Sequence, residues 1–238
     1  MLRQLTALNG LFQFMCRKNT FADQPWVNPS SKIIRVAIYE PYPMGLGGNF
    51  HTQKLILERL DRAKFFPVVV APTEGAGLNK FREMCVECLV VDPPSSLNSY
   101  GGKLLSSGFF ARVKSVLDLL RYNFELASIL RKKKITLVYT NSVRAQLSIG
   151  LAAMIARIPS LLYIKGELAN PIIDFVSIFS ASRILFCCPQ NRDDKYKLLT
   201  HLLRRKIKIL RIGLDPLSIQ GAKGQKKALL KKELGILD

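Results

Sequence analysis

The stretch "IIRVAIYEPYPMGLGGNFHTQKLILERL", residues 33–60, contains the succession of patterns that decides the fold. A run of apolar, largely β-branched residues ends in a loop rich in proline and glycine, and an amphipathic helical pattern follows at once. Strand, glycine turn and helix in this order open many parallel α/β sheets. The N–H groups at the start of such a helix favour an anion, above all a phosphate.

The same alternation continues along the chain. Helical patterns occupy 49–62, 77–84, 104–132, 143–157, 171–181 and 191–204, and strand-like runs occupy 33–40, 65–72, 85–92, 135–140, 159–166, 182–188 and 206–213. Strands that are continuously apolar indicate a sheet covered by helices on both faces. The sequence therefore predicts an α/β fold with a single doubly wound, mostly parallel seven-stranded Rossmann-like sheet.

The charge of the chain is strongly positive. Its 238 residues include 36 Lys and Arg against 17 Asp and Glu, a formal net charge of +19. Such an excess is typical of proteins that bind nucleic acid, an anionic membrane surface or phosphorylated substrates, although it can also serve solubility alone. Nucleic acid is not the partner we expect, because the chain has no recognisable reading motif and no aromatic residues interleaved with its cations.

The five cysteines form no disulfide framework, which favours a reducing compartment and hence a cytoplasmic location. Cys85 and Cys88 have the C-x-x-C spacing of some metal sites, but no second ligand pair follows at a suitable distance. In a strand the two would lie on opposite faces, so we expect them to be small buried hydrophobes. Cys187 and Cys188 are expected at the end of another buried strand. We predict no metal and no cofactor.

Polar residues follow three of the predicted strands. Because ligands of doubly wound sheets bind beyond the carboxyl ends of the strands, these residues are the candidate site. They are Gly47, Gly48, Asn141, Arg144, Lys165 and Glu167. Asn49 and His51 are further candidates beside the glycines, although we expect His51 to rest on the face of the helix instead of pointing into the cleft.

The glycine loop itself excludes two common phosphate motifs. "GLGGNF" nearly reads as the dinucleotide fingerprint, but Phe50 replaces its third glycine and the second strand ends without an acidic residue. No G-K-[ST] follows, so it is not a P-loop. A Gly-Gly turn that feeds a helix remains, either as an anion site or as a tight turn without a ligand.

The order of the motifs resembles one known family. Four pieces of the sequence follow one another as in the amino-terminal domain of family-four glycosyltransferases, which have the GT-B fold. They are "GLGGNF" with its leucine-rich helix, "ITLVYTNSVRAQLSIGLAAMIARIPSLLYIKGEL", "ASRILFCCPQNRDDKYKLL" and "IGLDP". The resemblance covers about three quarters of the chain, and the order and spacing of the pieces carry it.

The resemblance implies transfer of a sugar, with retention at the anomeric carbon, from a nucleotide-sugar donor to a glycan or lipid-linked acceptor. Gly47 and Gly48 would contact the donor diphosphate. The acceptor side would be formed by Asn141, Arg144, Lys165 and Glu167. Lys165 stands where many members have a histidine, and its cation could stabilise charge on the leaving phosphate. The resemblance does not identify a catalytic residue.

The domain prediction follows the same resemblance. Residues 1–31 would be a leader, disordered or amphipathic, residues 32–215 the acceptor-side domain, and residues 216–238 a basic linker. Family members continue into a carboxy-terminal nucleotide-binding domain that this sequence lacks. Either a separate chain supplies it, or the sequence is a truncated reading frame. The alternative is a non-catalytic, membrane-associated subunit or a truncated, inactive fragment.

One predicted helix is both amphipathic and basic. Between residues 102 and 134, apolar side chains recur with helical spacing at 109, 113, 116, 117, 120 and 124, among several lysines and arginines. We expect this stripe to pack on the sheet while its cations face water. The alternative is that the helix lies on an anionic membrane, at the cytoplasmic surface of the cell.

Overall fold

The computed structural model describes residues 33–95, 109–166, 171–188 and 203–211. Seven parallel strands form one sheet in the order β3-β2-β1-β4-β5-β6-β7. Their bounds are β1 Ile34–Tyr39, β2 Phe65–Ala71, β3 Glu87–Val90, β4 Leu137–Thr140, β5 Ser160–Ile164, β6 Arg183–Phe186 and β7 Ile207–Ile209. The predicted fold class is confirmed. The predicted segments 1–31 and 216–238 lie outside the described residues.

Five α-helices connect these strands in the described part of the chain. They are α1 Gly48–Arg59, α2 Ala76–Glu83, α3 Phe109–Lys132, α4 Val143–Ala156 and α5 Pro171–Ser180. A short 3-10 helix, Arg204–Lys206, precedes β7. The helix predicted at 191–204 falls almost entirely outside the described residues.

The strand order reverses between β1 and β4, and this divides the helices between the two faces of the sheet. Right-handed connections place α1 and α2 on one face and α3, α4 and α5 on the other. Three apolar clusters fill these layers: one includes Leu57 and Phe81, the second includes Leu126 and Ala153, and the third includes Ile178 of α5. The reversal creates a crevice at the carboxyl ends of β1 and β4, where doubly wound sheets bind their ligands.

The prediction for the first cysteine pair is partly wrong. Strand β3 begins at Glu87, and Cys85 is exposed in the turn after α2, with a left-handed φ of 58°. Cys88 is half-buried and donates its thiol hydrogen to the carbonyl of Leu78 at 3.8 Å. Burial raises the pKa of Cys88 to about 11, so its thiol is protonated at neutral pH.

The second pair, Cys187 and Cys188, lies just past β6 and is half-buried rather than buried. The Cys187 thiol donates to the carbonyl of Lys165 at 3.1 Å. No group of three or more His, Cys, Asp or Glu side chains comes together as a metal site within the described ranges.

The prediction that the apolar residues of α3 pack on the sheet is also wrong. Val113, Val116, Leu117, Leu120 and Phe124 are 42% to 61% exposed. The helix instead buries a partly polar face whose hydrogen bonds are satisfied. The Tyr122 hydroxyl donates to the carbonyl of Val91 at 2.9 Å, and the Asn123 side-chain oxygen accepts the N–H of Ala152 at 2.8 Å. No helix among the described residues is long and apolar enough to cross a membrane.

Candidate functional site

A cleft of about 610 Å³ opens at the carboxyl ends of β1 and β5, beside the first turn of α1. It brings together four of the residues predicted from the sequence: both loop glycines, Asn49 and Lys165. Its complete lining is Glu40, Tyr42, Gly45, Gly47, Gly48, Asn49, Phe50, Thr52 and Lys165.

The amino terminus of α1 faces this cleft without a side-chain cap. Gly47 is the N-cap residue, in an extended conformation, and it has no side chain to accept a hydrogen bond. The first intrahelical bond runs from the His51 N–H to the Gly47 carbonyl at 3.1 Å. The preceding N–H groups therefore have no acceptor within the helix, and they favour an anion.

The three glycines of the loop leave this backbone uncovered. A Cβ atom added to Gly45, Gly47 or Gly48 would meet no atom within 4 Å, and none of the three has a left-handed φ. Neither backbone conformation nor packing in the structure requires glycine at these positions. Because glycine has no Cβ atom, a ligand can approach the backbone closely at these positions.

Two further glycines, Gly75 and Gly77, pack against the backbone of the same loop at Pro43, on the side away from the cleft. A Cβ atom on Gly75 would lie 2.3 Å from the Pro43 carbonyl oxygen. The N–H of Gly77 donates to the same oxygen at 2.8 Å. The sequence reasoning did not select these residues as part of the site, although "EGAG" after the second strand repeats the glycine signal of the first.

Lys165 is the cation of the cleft. Its ammonium group donates to the Thr52 hydroxyl of α1 at 3.2 Å, which brings the end of β5 to the first turns of that helix. Burial lowers the pKa of Lys165, and attraction to Glu40 opposes the shift. A partly desolvated cation interacts more strongly with an anion than a fully hydrated one does.

Glu40 is a site residue that the sequence reasoning missed. It directly follows β1, is 1% exposed, and accepts the N–H of Tyr42 at 2.8 Å through Oε1. Its Oε2 has no hydrogen-bond partner in the described part of the chain. Burial raises the pKa of Glu40, while the Tyr42 hydrogen bond and Lys165 lower it. The available signal was an acidic residue at the end of an apolar strand, in "AIYEP".

Asn141 does not line the cleft but forms a hydrogen bond with Asn49, which does. The side chain is buried at the end of β4 and donates to the Asn49 carbonyl at 3.4 Å. Gln53 makes a similar contact from α1, donating to the Tyr39 carbonyl at 3.3 Å. Both amides tie the start of α1 to the ends of β1 and β4.

Arg144 lies on the other side of Tyr42. Its guanidinium group is 4.8 Å from the centre of the Tyr42 ring, and it donates to the Tyr42 hydroxyl at 3.2 Å. It borders a second depression of about 380 Å³, which also includes Pro43, Met44 and Ser148. The two predicted cations, Arg144 and Lys165, therefore line different depressions that share Tyr42 and Gly45.

His51, the remaining candidate among the described residues, does not line the cleft. His51 is exposed on α1, with its ring edge-on to Phe50 at a centroid distance of 5.5 Å. Glu167 lies outside the described residues.

Several solved glycosyltransferase structures share this architecture. A glycosyltransferase from Rickettsia africae matches with a TM-score of 0.57 and 13% identity over 87% of this chain and 51% of its own. HepE of Anabaena, in complex with UDP-glucose, matches with a TM-score of 0.52 and 14% identity over 85% of this chain and 50% of its own. The lipopolysaccharide outer core galactosyltransferase WaaB matches with a TM-score of 0.52 and 10% identity over 76% and 46%.

The chain has the Rossmann-like fold of a GT-B half domain. It spans about half the length of the structures that it matches. No model of a known protein family and no curated protein sequence matches it. At these levels of identity the likeness concerns the fold alone.

Proposed function

We propose that this chain is the acceptor-binding half of a retaining glycosyltransferase, which transfers a sugar from a nucleotide-sugar donor to a glycan or lipid-linked acceptor at the cytoplasmic side of a membrane. The observation that carries the proposal is the uncapped start of α1, which shares one cleft with Lys165 and with glycines that leave the backbone open. The similarity to glycosyltransferases, one of them in complex with UDP-glucose, supports it.

The donor diphosphate would bind at the amino terminus of α1. N–H groups without an acceptor in the helix and the helix dipole supply partial positive charge there, and Lys165, which is hydrogen-bonded to Thr52 of the same helix, adds a full charge. When the bond between the anomeric carbon and the phosphate oxygen breaks, the nucleoside diphosphate leaves with the electron pair. Its negative charge therefore grows in the transition state, and groups already oriented toward it lower the barrier.

The acceptor would bind on the Tyr42 side of the loop. Arg144, stacked on Tyr42, borders the second depression, and its planar array of N–H donors suits hydroxyl and carboxylate oxygens of a glycan. Asn141 would act indirectly, by holding Asn49 in the first turn of α1. We also assign Glu167 to the acceptor side.

A second domain would have to close over this cleft. The cleft is open on one side, and group transfer from an activated sugar requires that water be excluded and the reactants aligned. The matched structures are about twice as long as this chain, which is consistent with a second lobe in them. A non-catalytic subunit that presents the acceptor to a partner carrying this lobe is the second candidate.

The test combines this chain with a protein that carries the complementary GT-B lobe and supplies UDP-glucose and other nucleotide sugars. We expect a glycosylated product whose anomeric configuration, read by NMR, is that of the donor. Gly48→Val and Glu167→Ala should abolish transfer, whereas Lys80→Met on α2, an exposed residue outside the cleft lining, should not. Transfer unaffected by Gly48→Val would refute the site, and an inverted product would refute retention.

A further inference from the structure

The exposed face of α3 is an unusual surface for a soluble helix. The helix presents Val113, Val116, Leu117, Leu120 and Phe124 to the outside in one continuous stripe, here called the α3 stripe. Isolated apolar residues are common on protein surfaces, but a row of five large ones on one helix face marks an interaction site.

The apolar surface continues onto the neighbouring helices. Helices α3, α4 and α5 lie side by side on the same face of the sheet, and each exposes large apolar side chains. Met154 is exposed on α4, and the rings of Phe175 and Phe179 on α5 are more than half exposed and stack with centroids 6.1 Å apart. All three helices thus expose apolar side chains on the sheet face opposite to α1 and α2.

The positive charge of this helix favours an anionic partner over a second copy of the chain. Helix α3 contains five basic residues against two acidic ones, Asp118 and Glu125, and the whole chain has a formal net charge of +19. Lys114 and Arg121 are exposed and lie two helical turns apart along one edge of the α3 stripe. A second copy of the chain would bring this same positively charged segment against itself, which like-charge repulsion opposes.

We propose that the α3 stripe is a docking surface for an anionic phospholipid membrane. The apolar side chains enter the boundary between headgroups and acyl chains, and Lys114 and Arg121 contact lipid phosphates at its edge. The proposal does not rest on the glycosyltransferase assignment, because it uses helices of one sheet face and none of the cleft residues.

The experiment measures binding of the full chain to vesicles by co-sedimentation. We expect binding to vesicles of phosphatidylcholine mixed with phosphatidylglycerol, weaker binding at high salt, and little binding to phosphatidylcholine alone. Leu117→Glu with Phe124→Glu should weaken binding about 100-fold or more, because two large side chains lose their apolar burial. Both residues are among the most exposed of the stripe, so the variant should keep its melting temperature.

Two matched controls show whether a loss of vesicle binding is specific to the α3 stripe or follows from any change in charge or hydropathy. Ile33→Glu makes the same kind of change at an exposed position outside α3 and should leave binding unchanged. Lys114→Gln with Arg121→Gln should weaken binding about 25-fold. Lys64→Gln with Lys80→Gln, which removes the same charge elsewhere, should change it much less.

Three results would overturn the proposal. The first is equal vesicle binding by the stripe variant and the Ile33 variant. The second is equal binding to neutral and anionic vesicles. The third is a parent protein that self-associates without lipid and becomes monomeric when the stripe is substituted, because the stripe would then be a contact between copies.

Discussion

Two pairs of glycines border the same loop for opposite reasons. Gly47 and Gly48 face the cleft, and a Cβ atom on either would meet nothing within 4 Å. Gly75 and Gly77 lie behind the loop, where a Cβ atom would come within 2.3 Å and 3.0 Å of the Pro43 carbonyl oxygen. The packing requires glycine at Gly75 and leaves little room for a side chain at Gly77, whereas it leaves open space at the front pair.

This difference separates stability from binding. If the front pair serves a ligand, substituting it should weaken ligand binding and leave the free energy of unfolding unchanged. Substituting the rear pair should chiefly lower the free energy of unfolding. The comparison can be tested residue by residue, since each change is the addition of a single methyl group.

The largest expected effect comes from Gly75→Ala. The new methyl group would collide with a backbone carbonyl, which cannot move without shifting the loop, so we expect a loss of about 3 kcal/mol of unfolding free energy. Urea denaturation measures it. Gly45→Ala, in open space on the other side of the loop, is the control and should be nearly neutral. Equal stability of the two variants would contradict the packing role of Gly75.

Lys165→Gln should have the next largest effect, on binding. Gln keeps an N–H donor on a slightly shorter side chain but carries no charge, so binding of UDP should weaken about 30-fold, as for loss of a charged hydrogen bond. Calorimetric titration measures the change. Lys54→Gln is a matched control, because Lys54 also lies on the α1 side but outside the cleft lining, and its exposed pair with Glu58 contributes little. Equal weakening in both variants would indicate a general charge effect.

Gly48→Ala should weaken UDP binding by about tenfold while the melting temperature stays the same or rises slightly. The methyl group meets nothing in the protein, and alanine is favoured over glycine in a helix. Gly77→Ala is the counterpart, since its Cβ would lie 3.0 Å and 3.1 Å from two carbonyl oxygens and should lower the melting temperature. A Gly48→Ala protein that binds UDP as the parent does would remove the argument for a ligand at the front pair.

Much of the fold was predictable because its strands are buried on both faces. "FFPVVVA" and "LVYT" are almost uninterrupted apolar runs, and glycine or proline marks several of the turns between the elements. The position of Lys165 beside α1 also followed from the rule that parallel strands end at one edge. These predictions depend on local pattern and on topology, both of which are legible in the chain.

The failures have a common physical cause. The core face of α3 contains Tyr122 and Asn123, whose polar groups are satisfied by backbone groups of Val91 and Ala152. Those partners are distant in sequence, so periodicity favoured the more apolar face, and that face is exposed. Tyr42, which separates Arg144 from Lys165, was not foreseen for the same reason. Long-range hydrogen bonds and stacking leave no trace in local pattern.

The smallest expected effect concerns Glu40, the acidic residue behind the front glycines. Burial raises its pKa in the folded protein above the ordinary value of 4.5, so the folded state binds the proton more tightly than the unfolded state does. The stability associated with this proton is fully present below pH 4.5 and is lost as the pH rises through the folded pKa. Glu40→Gln keeps an oxygen that can accept the Tyr42 N–H but removes the ionisation.

The variant should therefore be slightly more stable than the parent at pH 7, and the two should be equally stable near pH 4. Urea denaturation across this range measures the difference. A matched change at Glu83, which is exposed and pairs with Lys80 on α2, should show no such gain at pH 7. If Glu40→Gln were instead less stable at pH 7, the charge of Glu40 would stabilise the loop through Lys165, and attraction within the pair would outweigh the cost of burial.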